Sequence, residues 1–232
     1  MSAETGAVAD RPWWSQQRAP PPPVLSLTAL GGTAAAGASF APTHTVRFGG
    51  NWAGYVAAGS VDEFVSAAAD WTVPAVTCLA KHDLYAPWVG IDGYNSDTVE
   101  QTGVATSCST GSPVESAWYE MYPAEPTYYS NPISTGDTIA ASVTSSGTKF
   151  TLKISDVTKG WTETTKKSLS SAEKLSAEAV IEAPGGYPKI TSVNFTNVLF
   201  NGRGLKSFDP VKTTSGGYKP GKITHGDDFS IT

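Results

Sequence analysis

Short stretches of alternating residues, each closed off by glycine, proline, asparagine or serine, succeed one another along this chain from Val46 onward. Residues 61–72, 86–92, 116–122, 138–145, 149–157, 175–182 and 190–200 are each rich in Val, Ile, Thr, Trp, Tyr or Phe. β-Branched and aromatic side chains suit a pleated, half-buried surface, and a period of two sends successive side chains to opposite faces. With 23 glycines and 16 prolines among 232 residues, a turn is never far away. Only 166–175 has a mildly helical composition, and no convincing cap bounds it. The pattern predicts an all-β fold, a sandwich of two antiparallel sheets without internal repeats.

A chain of this length can close one sizeable core. Residues 1–45 do not share the alternation. Arginines at 11 and 18 precede a proline run from Pro20 to Pro23, and an apolar, small-residue stretch follows from Val24 to Gly37. Ser39 and Ala41 occupy the two small-residue positions that a signal peptidase reads. The expectation is a leader over 1–45, either an export signal or a disordered linker, and a sandwich domain over 46–232. No other stretch offers the twenty apolar residues a membrane span needs, so no membrane attachment is expected after leader removal. Secretion as a monomer is the expected state. In an oxidising compartment Cys78 and Cys108 would form one disulfide.

Composition narrows the partners. The net charge is −5 and no basic stripe is present, which argues against nucleic acid. Two cysteines without a histidine at ligand spacing make a zinc site improbable, and no metal or cofactor is expected. His44, His82 and His225 stand outside any recognisable motif, so a Ser–His–Asp or Cys–His apparatus has no evident base. Gly216 to Lys222 has the glycine and lysine spacing of a phosphate-binding loop, but Ile223 replaces the hydroxyl residue and no helix is indicated after it. Asn194-Phe-Thr is a glycosylation sequon by letters only.

The strand faces say more. In PWVGID, Trp88, Gly90 and Asp92 share a face; in SAWYEMYP, Trp118, Glu120 and Tyr122 do. Gln101 lies on the face of Val99 and Gly103, and Glu178, Val180 and Glu182 share another. An ordinary solvent face would be Thr, Ser and Lys, and an ordinary core face would lack the carboxylates. Aromatic walls with a few convergent polar groups are what a substrate groove presents; an aromatic-rich outer sheet with satisfied polar groups is the competing reading.

NWAGY at 51–55, WVGIDG at 88–93, EQTGV at 100–104, AWYEMYP at 117–123 and AEAVIEAP at 177–184 resemble, in that order, the successive motifs of the glutamic peptidases, or eqolisins. The resemblance implies a lectin- or glucanase-like jelly roll acting on protein or peptide substrates in acidic medium. It implies that Gln101 and Glu182 are the catalytic pair and that Trp88, Asp92, Trp118, Glu120 and Tyr122 line their cleft. Met121 stands where such proteins usually have a second tryptophan, and Ser116 and Ala183 where they usually have acidic residues. Chemically, a glutamate can serve as base in acid, where histidine is protonated, and an amide keeps its N–H donors at every pH. Glu178, four residues before Glu182 on the same face, is the other candidate base. A carbohydrate-active sandwich using Glu120 and Glu182 draws on the same features.

Overall fold

Strand alternation from Trp52 onward builds two seven-stranded antiparallel sheets, as the computed structural model shows for residues 51–232, the part described. The expected leader over 1–45, with His44, lies outside the described residues. The first sheet runs β15 (Val211–Thr213), β1 (Trp52–Ala58), β11 (Ser176–Gly186), β4 (Leu84–Asp92), β5 (Val99–Ser107), β6 (Val114–Tyr122) and β7 (Thr127–Tyr128). The second runs β10 (Trp161–Ser168), β9 (Lys149–Asp156), β8 (Thr138–Ser146), β2 (Ser66–Thr72), β13 (Val193–Phe200) and β14 (Arg203–Gly204), with β16 (Phe229–Ile231) also on β13. β3 (Val76–Thr77) and β12 (Lys189–Ile190) form a separate small pair. Among the described residues there is no α-helix, only a 3-10 turn at Leu205–Phe208.

Period-two burial makes the core. β2 turns Ala67, Ala69 and Trp71 inward, β8 Ile139, Ala141 and Val143, and β9 Phe150, Leu152 and Ile154. Facing them from the first sheet are Ala53, Tyr55 and Ala57 on β1, Ala177, Ala179 and Ile181 on β11, and Val89 and Ile91 on β4. Across the interface β11, with its small alanines, faces β2 and β13, which carry Trp71 and Phe195, while β5 faces β9, which carries Phe150.

Two differences from the sequence expectation have physical causes. The mildly helical 166–175 does not form a helix: Lys166, Lys167 and Ser168 end the edge strand β10, paired to Thr151, Phe150 and Lys149. That strand, WTETTKKS, carries little apolar alternation because most of it is exposed, and exposed charge is common on an edge strand. The outward faces of β4, β5 and β11 are buried as well as their inward ones, so those strands read as more continuously covered than a half-solvated sheet.

Cys78 and Cys108 are joined, with Cα atoms 5.6 Å apart and a sequence separation of 30. Cross-linking a loop of that length stabilises by roughly 3 kcal/mol on the chain-entropy account. Replacing both cysteines by alanine is therefore expected to lower the urea-unfolding free energy by roughly that amount while the far-ultraviolet spectrum of the folded protein stays unchanged. An unaltered denaturation midpoint would contradict this.

Candidate active site

Registers across the first sheet fix which side chains meet on its outer face. Directly opposed residues in antiparallel strands share a face, so three rows follow. The first is Val56, Glu178, Gly90, Gln101 and Glu120 across β1, β11, β4, β5 and β6. The second is Gly54, Val180, Trp88, Gly103 and Trp118. The third holds Trp52, Glu182 and Ala86, and continuing the register places Ala86 beside Ala105. Gln101 and Glu182 therefore lie on the same face, at the two ends of a diagonal that crosses Trp88.

Trp88 organises this face. It is wholly buried, and its indole packs edge-on against Trp52, with centroids 4.9 Å apart. A Cβ added to Gly90 would come within 2.9 Å of the Trp88 ring and 3.1 Å of the Gln101 Cβ, so the indole lies over Gly90. One added to Gly103 would meet the Pro87 carbonyl oxygen at 2.3 Å. Only glycine permits the indole and the adjacent strands to approach this closely. The ring thereby fills the line from Glu178 to Gln101, whereas Ala86, Gly103 and Ala105 leave low ground on the other side of the diagonal. Trp118, paired to Gly103, bounds that ground.

Gln101 is 2% exposed, and its Nε2 donates to Glu120 Oε2 at 2.5 Å. Its Oε1 has no protein partner, nor do the indole N–H groups of Trp88 and Trp118. Buried polar atoms without partners are uncommon in folded proteins and mark places where a ligand or water completes the set. Glu182 is only partly buried, and its Oε1 accepts from Asn51 Nδ2 at 2.9 Å. Tyr187, which the sequence reading did not single out, donates its hydroxyl to the Asn51 carbonyl at 2.9 Å. Burial, with the charge of Glu182 adding to it, pushes the Tyr187 phenol up and keeps it protonated.

The remaining expected residues divide. Tyr122 is half-buried on the same face as Glu120. Asp92 shares that face too, yet it is fully buried and its oxygens are engaged: Oδ1 accepts from the Leu175 N–H at 2.7 Å, and Oδ2 from the Lys174 N–H at 2.7 Å and the Thr98 hydroxyl at 3.3 Å. These bonds hold Asp92 at φ 68, an uncommon backbone conformation for a side-chain-bearing residue, where β4 ends. Asp92 thus clamps the loop before β11. Of the histidines, His82 lies beside Gly186 and His225 pairs with Asp228 in an exposed turn. Among the described residues no group of three His, Cys, Asp or Glu is placed to hold a metal ion.

Glu178 and Glu100 are both fully buried carboxyls next to Asp92. Burial first, then the charges of Asp92 and Glu100, holds Glu178 well above the ordinary carboxyl range; Ser176 and the Tyr94 N–H oppose this only in part. Glu100, on the core side, is raised to about 8 by burial and then by Asp92, against the pull of Thr98 and Lys174. Both folded-state values exceed the unfolded one, so folding favours the protonated forms. That stabilisation is complete below the unfolded pKa of about 4.3, and for Glu100 it is lost as pH climbs toward about 8.

Four comparisons bear on this face. A family model described as the Peptidase A4 family matches residues 50–219. The structure of scytalido-glutamic peptidase with a transition-state-analogue inhibitor aligns with a TM-score of 0.68 at 25% identity, over 81% of this chain and 99% of that one. SCP-B, an eqolisin-family peptidase in complex with the tripeptide Ala-Ile-His, gives 0.64 at 26% identity over 81% and 99%. Aspergilloglutamic peptidase from Aspergillus niger gives 0.55 at 25% over 64% and 98%. No curated protein sequence matches the chain at a significant level.

Wild-type melting temperature should fall between about pH 4 and about pH 8. Glu100→Gln, a neutral isostere at every pH, should match wild type near pH 4 and exceed it by roughly 5–10 °C near pH 8. Equal displacement at both pH values, read by calorimetry, would show that Glu100 titration is not the cause.

Proposed function

The chain belongs to the Peptidase A4 family and is a glutamic-type endopeptidase, and we propose that it cleaves peptide bonds with Gln101 and Glu182 acting on one water molecule. The observation that carries this pairing is the diagonal across Trp88: an amide with an unpartnered Oε1 at one end, an accessible carboxyl at the other, and low ground beside them. Glu178 is the weaker base, because the indole over Gly90 separates it from Gln101 and its carboxyl is sealed from solvent and held neutral.

In this reading the Glu182 carboxylate takes a proton from water as the water oxygen attacks the scissile carbonyl carbon. Gln101 Oε1 accepts the water's other hydrogen and orients it. One Gln101 N–H is committed to Glu120; the second donates to the oxyanion as it forms. Collapse of the tetrahedral intermediate breaks the C–N bond, and Glu182 returns its proton to the departing nitrogen. Glu120 fixes the amide so that its free hydrogen points at the oxyanion, and Trp118 walls the substrate. Asp92 acts at a distance by holding the β4 and β11 ends in register. An acidic working range follows from a carboxylate base and from the carboxyl groups that the fold keeps protonated. The disulfide and the export-like leader support a secreted enzyme.

Digestion of a denatured protein between about pH 2 and 7 tests the assignment. Gln101→Ala should lose roughly 100- to 1000-fold in kcat, Glu182→Gln roughly 100- to 10,000-fold, and Glu178→Gln no more than a few-fold. A folded Glu182→Gln variant with near-normal turnover would overturn the pairing, as would loss of activity confined to Glu178→Gln.

A further inference from the structure

Asn51 is tied down from both ends. Its carbonyl oxygen accepts two hydrogen bonds, from the Tyr187 hydroxyl at 2.9 Å and from the Ala183 N–H at 3.2 Å. The next residue, Trp52, is paired with Glu182 across β1 and β11 and packs on Trp88. Tyr187 in turn packs at a tilt against Tyr218, with centroids 4.9 Å apart, and Tyr218 is fixed by the Ile190 N–H and the Pro188 carbonyl. The Asn51 amide is therefore held in place before it reaches Glu182, and it reaches one oxygen only, Oε1, at 2.9 Å.

We propose that Asn51 is the positioning residue of Glu182, with Tyr187 as its anchor. This rests on the Gln101/Glu182 reading above. A carboxylate has two equivalent oxygens and two rotational orientations. An N–H donor that cannot itself lose or gain a proton breaks that equivalence: it occupies Oε1, turns Oε2 toward the water, and directs the abstracted proton there. It also favours the ionised carboxylate over the neutral acid, since a neutral carboxyl accepts more weakly. Asn51 thereby extends the range in which Glu182 acts as base toward lower pH without touching the substrate.

The test measures kcat, KM and thermal stability across pH on a soluble peptide substrate for Asn51→Ala and Asn51→Asp, with Glu182→Gln and Tyr187→Phe in parallel. Asn51→Ala should lower kcat by about 10- to 100-fold, leave KM within about twofold, and move the lower limb of the kcat profile up by about one pH unit. Asn51→Asp is nearly isosteric and donates only while the pair shares a proton. It should retain turnover at the acidic end and lose it as pH rises. Tyr187→Phe should move the same limb in the same direction, by less. A loss in Asn51→Ala that is uniform across pH, or an Asn51→Asp profile parallel to wild type, overturns the inference. If Glu182→Gln retains turnover, the base assignment itself falls; if it is inactive while the Asn51 variants keep the wild-type limb, only the role of Asn51 does.

Discussion

The indole of Trp88 over Gly90 is the contact around which this face is arranged. In the proposed pairing it decides which carboxyl serves the Gln101 amide, because two glutamates, Glu178 and Glu182, project from the same strand on the same face. In the row of Glu178 the ring occupies the intervening space. Toward Glu182 only small residues lie beside the diagonal. The backbone makes this possible: glycine at 90 accepts the ring, and glycine at 103 lets β5 lie against the Pro87 carbonyl. A methyl group at position 90 would press on the Trp88 ring and β5, and one at 103 would push β5 away from β4. The geometry of this face therefore depends on two positions that carry no side chain.

Around that platform the molecule sorts its carboxyl groups by environment. Asp92, saturated with N–H and O–H donors, serves the backbone. Glu178 and Glu100 are sealed and favoured as neutral acids. Glu182 keeps partial exposure and accepts from the Asn51 amide, a combination that suits a carboxylate able to exchange protons with water. Burial of Glu178 and Glu100 contributes stability that is lost as pH rises, and the proposed Glu182 base would work in the same acidic range.

Much of this was legible in the sequence because a strand's period of two is strict. Trp88, Gly90 and Asp92, or Trp118, Glu120 and Tyr122, sort onto faces by counting alone, and the observed registers put them there. The turn residues likewise marked most strand ends. What stayed hidden were features without local alternation and roles that depend on distant partners. β10 was hidden because an exposed edge strand of Thr, Glu and Lys carries little apolar alternation. The face of Asp92 is visible from the pattern, whereas its donors on Lys174 and Leu175, more than eighty positions away, are not. Asn51 and Glu182 are separated by 131 residues, and Tyr187 follows a Pro-Gly-Gly break with no alternation of its own, so nothing local announces that the three meet.

A crystal structure of the enzyme at about pH 4 tests the central claim most directly. The account predicts one ordered water within about 3.2 Å of both Gln101 Oε1 and a carboxylate oxygen of Glu182, standing over the low ground of Ala86, Gly103 and Ala105. A water shared instead by Gln101 and Glu178, with the Trp88 ring swung away from Gly90, would contradict it.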